Sequence, residues 1–412
     1  ARNAWSEAVE MLQRAAACTL HNDDEILLLL TRALGHSRRW GEAEATLQRA
    51  LALAERRSDT AAQARCRLVQ AEMAQWREEY DAAHTALNQA IEVAGPRSPL
   101  LPHLMLMMGN LTSLRNDFAG ALTYGQEALR LFARHGAPDG EAAAQVLIAR
   151  MCARLGRLEE ALAAYEAAYA GYAALDLRQG MAAARVNAST LALRAGDFEH
   201  GVALARDAYD LFQSIQDARG LCVAASNLGA AMVWMGQGQQ AERWLRESYE
   251  RAVALNLLAQ QAAALANLGA AVLQQDRAAE ARSLMEQGLA LRTAQGHLDV
   301  SIDRAFLAIA CLRMGDLPAA DAYSAQAVAD VQRMPQVENP QQVWFARAQV
   351  LHALGRSEEA RAALLEAVAH LRRIEHVLPR LQRQRYLSAF PFNRAILRAE
   401  AESVWPDPAS LV

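Results

Sequence analysis

Three asparagines, Asn187, Asn227 and Asn267, recur at intervals of 40 residues in segments otherwise rich in helix formers. Asparagine is a poor helix-interior residue because its side chain competes for backbone hydrogen bonds, so three in register call for a reason. A carboxamide offers both a donor and an acceptor. Amides repeated at equal spacing can therefore clamp the backbone of an extended peptide without reading its side chains. The bland alternative is that they brace neighbouring helices or face water. Arg154 and Arg194 repeat at the same 40-residue interval and, with Arg150, fall on the same face; grouped guanidiniums pair bidentately with carboxylates. Their alternative is a solvated surface or ion pairs with the chain's many glutamates.

Other chemistry is excluded. All 42 basic residues are Arg and no Lys occurs, as in proteins from GC-rich bacterial genomes. That removes Schiff-base lysines and Walker-type phosphate loops. The phrase Gly236-Gln-Gly238-Gln-Gln-Ala241 matches a dinucleotide-binding fingerprint, but it follows a helical segment where that fingerprint needs a β-strand. His370 and His376, six residues apart with Glu375 beside the second, do not share a helix face as metal ligands would. The carboxylate pairs Glu78-Glu79, Glu159-Glu160 and Glu358-Glu359 fall where helices begin, where negative charge favours the helix dipole. Cys18, Cys66, Cys152, Cys222 and Cys311 are scattered with no CxxC pair, which fits packing residues in a reduced, cytoplasmic setting. A formal charge of −4 gives no basic excess for nucleic acid. The densest apolar run, Ile26 to Leu30, is far too short to span a bilayer. No catalytic constellation, cofactor or metal is expected.

The elements that position these residues follow from a repeat. A small residue recurs at Ala43, Ala83, Ala121, Ala161, Gly201, Ala241, Ala281, Ala320 and Ala360, at intervals of 38 to 40 residues. Five residues earlier stands a turn former (Asn116, Gly156, Gly196, Gly236, Asp276, Gly315 and Gly355), with Arg38 and Glu78 departing in the first two repeats. Three residues before the small residue comes an aromatic or Leu in most repeats: Trp40, Tyr80, Phe118, Leu158, Phe198 and Leu317. Gly, Asn and Asp adopt the left-handed backbone that ends a helix, and the small residue lets two antiparallel helices approach closely. One hairpin cannot bury both of its apolar faces and must stack on the next.

The phrases at 225–249 and 265–289, with Leu-Gly in the first helix and a small residue in the second, resemble the tetratricopeptide repeat. The period of about 40 exceeds that family's usual length of about 34 and is similar to the arrays of kinesin light chains and multidomain bacterial regulators. The resemblance implies an all-α, right-handed α-solenoid of nine antiparallel hairpins over 23–378. Residues 1–22 read as the remnant second helix of a truncated repeat. Residues 379–412 read as capping helices, broken near Pro391, and a tail. The start at Ala1, partway into a helical pattern, reads as a fragment of a larger protein. The phrase from Tyr386 to Leu397 is similar to the closing segment of arrays in transcriptional activators, nucleotide cyclases and regulatory ATPases.

The resemblance also implies that first helices line a concave groove, reached from positions nine, six and two residues before the turn. Asn187, Asn227 and Asn267 take the first of these, where related arrays use Asn on peptide backbones. Arg150, Arg154, Arg194, Arg313 and Trp234 take the others, with Leu273, Phe306 and Ile309 as apolar neighbours. The expected function is a protein- or peptide-binding sensor or scaffold, not an enzyme, in a larger bacterial regulator of the kind that controls transcription. A small-molecule inducer sensor is the second expectation, built on Arg150, Arg154, Arg194 and the asparagines. An oligomerisation scaffold forming a homo-oligomer is the third.

Overall fold

The computed structural model describes residues 2–18, 24–297, 299–334, 337, 339–378, 380–402 and 405. It divides into two compact units, residues 1–175 and 176–412. Among the described residues, every regular element is an α-helix.

In the first unit a single helix α1 (Arg2–Cys18) precedes the pairs α2 (Asp24–His36) and α3 (Trp40–Arg56), α4 (Thr60–Trp76) and α5 (Tyr80–Ala94), α6 (Leu101–Leu114) and α7 (Phe118–His135), and α8 (Pro138–Arg154) and α9 (Leu158–Ala174). The second unit continues with α10 (Arg178–Arg194) and α11 (Phe198–Ser214), α12 (Ala218–Trp234) and α13 (Gly238–Ala254), α14 (Leu258–Leu273) and α15 (Ala278–Ala294), α16 (Ser301–Arg313) and α17 (Leu317–Arg333), and α18 (Pro340–Ala353) and α19 (Ser357–Val377). It ends with α20 (Arg380–Ala389) and α21 (Pro391–Glu402). Within each unit, each helix packs on its hairpin partner, each second helix packs on the first helix of the following pair, and most successive first helices touch one another. This is the helical-hairpin α-solenoid architecture of tetratricopeptide repeats.

Every turn inside a hairpin uses a left-handed residue: Arg38, Glu78, Asn116, Gly156, Gly196, Gly236, Asp276, Gly315 and Gly355 all have φ between 59° and 78°. Arg38 and Glu78, which break the residue-type pattern, keep the backbone. The next amide then bonds back five residues, as in Asp197 N–H to the Ala192 carbonyl (2.9 Å), Gln237 to Met232 (2.8 Å) and Arg356 to Leu351 (2.9 Å). These bonds satisfy carbonyls that the helix end leaves open. Carboxylates cap two of the second helices: Asp117 accepts from the Gly120 amide at 2.8 Å and Asp316 from Ala319 at 3.2 Å.

The eight repeat alanines are fully buried, and a Cβ on Gly201 would meet Leu193 Cδ2 at 2.3 Å. The helices of a hairpin therefore touch at a point with no room for a larger side chain. A second left-handed series joins successive pairs: Ser58, Gly136, Asp176, Gln216, Asn256 and Gly296. Its last five members are 40 residues apart, but their mixed types conceal the pattern.

After the last pair, α21 covers the exposed end of the second unit. Phe392, Ile396 and Ala399 are buried in one core with Phe345 and Leu371, and Phe392 meets Phe345 and Phe306 ring to ring. Of the tail from Trp405 onward only Trp405 is among the described residues, and its ring stacks on His352 at 4.6 Å.

Two outcomes test this account. Ala241→Leu should destabilise the chain by about 1–3 kcal/mol through overpacking, read as a lower denaturation midpoint. Glu78→Gly should stabilise it by roughly 0.5–1 kcal/mol, because glycine removes the left-handed strain at a smaller entropic cost. A loss of stability at Glu78→Gly would contradict the turn assignment.

Candidate functional site

Three first helices of the second unit, α10, α12 and α14, present groove positions to a cavity of about 700 Å³. Thr190, Leu193 and Arg194 come from α10, Asn227, Ala230 and Trp234 from α12, and Asn267 from α14. Opposite them stand Asn339, Pro340 and Gln342 at the start of α18, and His370, Arg373 and Ile374 of α19. Tyr386 and Phe390 close the chamber from the C-terminal side. The 40-residue period produces this convergence, because equivalent positions on successive first helices fall on the same face.

Its chemistry is amide-rich and cationic. Arg194 and Arg373 carry positive charge, and no carboxylate occurs among the described residues lining the chamber. Burial, and then the neighbouring Arg373 guanidinium, push His370 below its ordinary value, so its imidazole is neutral at pH 7. Burial pushes the Tyr386 phenol up to about 12, and its oxygen accepts from Gln341 Nε2 at 2.9 Å.

The sequence-derived candidates separate here. Asn227 and Asn267 line the chamber, while Asn187 is half-buried on α10 and does not. Asn227 Nδ2 donates to Thr190 Oγ1 at 2.9 Å and to the Val186 carbonyl at 3.4 Å, so it braces two repeats and leaves its own oxygen to accept. Arg194 and Trp234 line the same chamber. Arg313 instead pairs with Asp276. Arg150 and Arg154 belong to the first unit, where Arg150 donates to Asn110 Oδ1 at 2.6 Å and Arg154 lies over the Phe118 ring at 4.6 Å. Leu273 and Ile309 are fully buried and serve the core. Phe306 packs against Phe392.

The first unit has a smaller cavity of about 400 Å³ on its own first helices, lined by residues including Leu68, His103, Met107 and Asn110. Its Arg32 and Glu72 form a bidentate pair at 2.6 and 3.0 Å. Nearby, Trp5, His36 and Trp76 stack with ring centroids 4.3 Å apart at each step. His36 and Trp76 stand two residues before their turns, at the groove positions of repeats one and two.

The remaining motifs resolve into structure. Gly238 of the false dinucleotide fingerprint sits where a Cβ would meet the Ala271 carbonyl oxygen at 2.6 Å, so its smallness serves packing between repeats. No group of three or more His, Cys, Asp or Glu residues among the described ones is arranged to hold a metal. No described helix is long and apolar enough to cross a membrane. The Cys66 thiol is pushed up to about 11 by burial, and burial raises Cys152, Cys222 and Cys311 as well. Cys18 lies outside the residues whose side chains are described.

Helical hairpins with a left-handed turn, a buried small residue and a ligand-sized cavity on their first helices define a tetratricopeptide-type fold. No protein-family model matches the chain, and no curated protein matches it. Solved structures do. The quorum sensor NprR from B. thuringiensis, in its apo form, aligns with a TM-score of 0.61 at 16% identity, over 83% of this chain and 97% of that one. A Rap protein complexed with Competence and Sporulation Factor aligns at 0.56 and 13% identity, over 84% and 96%. A signal-transduction ATPase with numerous domains from Pyrococcus horikoshii, which carries a tetratricopeptide repeat sensor, gives 0.56 and 13% identity, over 90% and 53%. At these identities the likeness is one of fold.

The burial of four thiols has a direct consequence. In a Cys18→Ser background, the native chain at pH 8 should leave Cys66, Cys152, Cys222 and Cys311 unreacted with a thiol-specific dye for as long as it stays folded, because the reactive species is the thiolate. Rapid labelling of any one would contradict its placement in the core.

Proposed function

We propose that this chain is a protein- or peptide-binding sensor module, without enzymatic activity of its own, whose ligand seats in the chamber of the second unit. The observation that carries the reading is the convergence of Thr190, Arg194, Asn227, Trp234 and Asn267, from three successive first helices, on one cavity of about 700 Å³. Asn227 and Asn267 supply backbone-reading amides, Trp234 an aromatic wall, and Arg194 with Arg373 charge for a carboxylate. The similarity to a quorum sensor, and to a Rap protein solved with a signalling factor bound, supports a sensing role. We place the module in a larger bacterial cytoplasmic regulator, with control of transcription as its output.

A second reading is that the ligand is a small-molecule inducer. The chamber's roof and its volume favour it, since small-ligand sites run from about 300 to 1,000 Å³. Self-assembly as a scaffold ranks below both.

The deciding experiment compares the chain with its Asn227→Ala, Asn267→Ala variant, matched for helicity by circular dichroism, in capture from native lysate followed by mass spectrometry. Each lost hydrogen bond costs about 0.5–1.5 kcal/mol, so the double change should weaken a bound ligand by roughly tenfold. A peptide or protein held by the parent chain and lost by the variant supports the first reading. A small molecule lost in the same way supports the second. Equal retention by both chains removes the chamber from the function.

A further inference from the structure

The helix α20 adds only Tyr386 and Leu387, both partly buried, to the terminal core that α21 covers. Its sequence, RLQRQRYLSA, is polar. It nevertheless reaches a hairpin turn four repeats upstream. Phe390, at its end, sets its ring edge-on to Phe198 at 5.4 Å and to Trp234 at 5.6 Å. Ala389 Cβ lies 3.0 Å from the point where a Cβ on Gly196 would stand. Arg385 Nη1 pairs with Asp197 Oδ2 at 2.9 Å. An aromatic anchor and a charge pair five residues apart is how a bound segment meets a groove.

Phe390 and Ala389 pack on a small core of Leu193, Phe198 and Ala231, but the contact is incompletely filled. Protein interiors are filled to near-crystalline density, yet Phe390 and Tyr386 border a cavity of about 700 Å³. The Arg385 side chain is 52% exposed. The segment therefore bridges the groove and the terminal core, where Tyr386 and Leu387 pack, and borders the open space of the chamber.

Resting on the reading of this face as a ligand groove, we propose that residues 380–390 are a tethered internal ligand, seated in the slot of Gly196, Asp197, Phe198 and Trp234. The external partner that fits this slot presents a basic residue five positions before a phenylalanine and enters by displacing the chain's own segment. Glycine suits position 196 twice over: its φ is +78°, and a Cβ there would press on Ala389 Cβ at 3.0 Å. A tether holds its segment at an effective concentration on the order of 1 mM. If the segment's intrinsic Kd is on the order of 100 µM, the slot is occupied roughly ten to one and an external ligand is weakened about tenfold.

The probe is a fluorescein-labelled synthetic peptide of residues 380–391, titrated against the full chain by anisotropy. Phe390→Ala vacates the slot and should bind the probe about tenfold tighter than the parent chain. Adding Trp234→Ala should abolish that gain. Arg385→Glu loosens the segment while sparing the aromatic contacts, so it should also raise affinity and keeps the test valid if Phe390→Ala misfolds. Equal binding by the parent chain and both single variants, no binding to either variant, or a gain that survives Trp234→Ala would each overturn the proposal. The asparagine double variant judges the groove reading separately, so either idea can fail alone.

Discussion

Each hairpin in this chain depends on one residue whose backbone is left-handed, followed five positions later by a side chain no larger than a methyl group. The turn reverses the helix, and the small residue fixes how near the returning helix comes. Left-handed backbone costs an L-residue about 1–2 kcal/mol, yet Arg38 and Glu78 adopt it. The packing on either side compels the conformation, and the stacking of hairpins recovers its cost. The spacing of every groove position descends from this pair of local constraints.

Because the hairpins are nearly alike, a period in sequence becomes a row in space. Side chains one repeat apart come close enough to bond. Asn227 reaches Thr190 on the preceding first helix, and Gln274 Nε2 reaches the Val233 carbonyl at 2.8 Å. Arg282 and Asp316 do the same between the second helix of one repeat and the turn of the next, at 2.9 Å. The face that lines the chamber therefore also holds neighbouring repeats together. This dual use explains why amides and guanidiniums at groove positions divide between lining the chamber and bracing the repeats.

The architecture was legible because its signals are local: a turn residue, a small residue and a helical pattern between them. The chamber was legible in part. Asn227, Asn267, Arg194 and Trp234 line it as their register implied, whereas Arg313 is drawn to Asp276 and Leu273 and Ile309 turn into the core. A shift of one residue rotates a side chain by about 100° on a helix, enough to carry Leu273 from the groove edge inward. The second left-handed series went unread because Ser, Gln and Asp adopt that backbone under packing and carry no compositional mark. The far wall was not legible at all. His370, Arg373 and Phe390 meet α10 and α12 across well over a hundred residues of chain, and no local pattern encodes so distant a meeting.

That meeting changes the statistical character of the second unit. A linear array of repeats is a one-dimensional chain of nearest-neighbour couplings, and such a chain melts from its ends. Phe390 and Arg385 add a coupling between its C-terminal helices and its first hairpin, which makes the chain of couplings a ring. In a ring no repeat is terminal, and loosening any hairpin strains the closure shared by all the others. Trp234 and Phe390 form the closing contact and also line the chamber, so the chamber belongs to the whole unit rather than to any one hairpin.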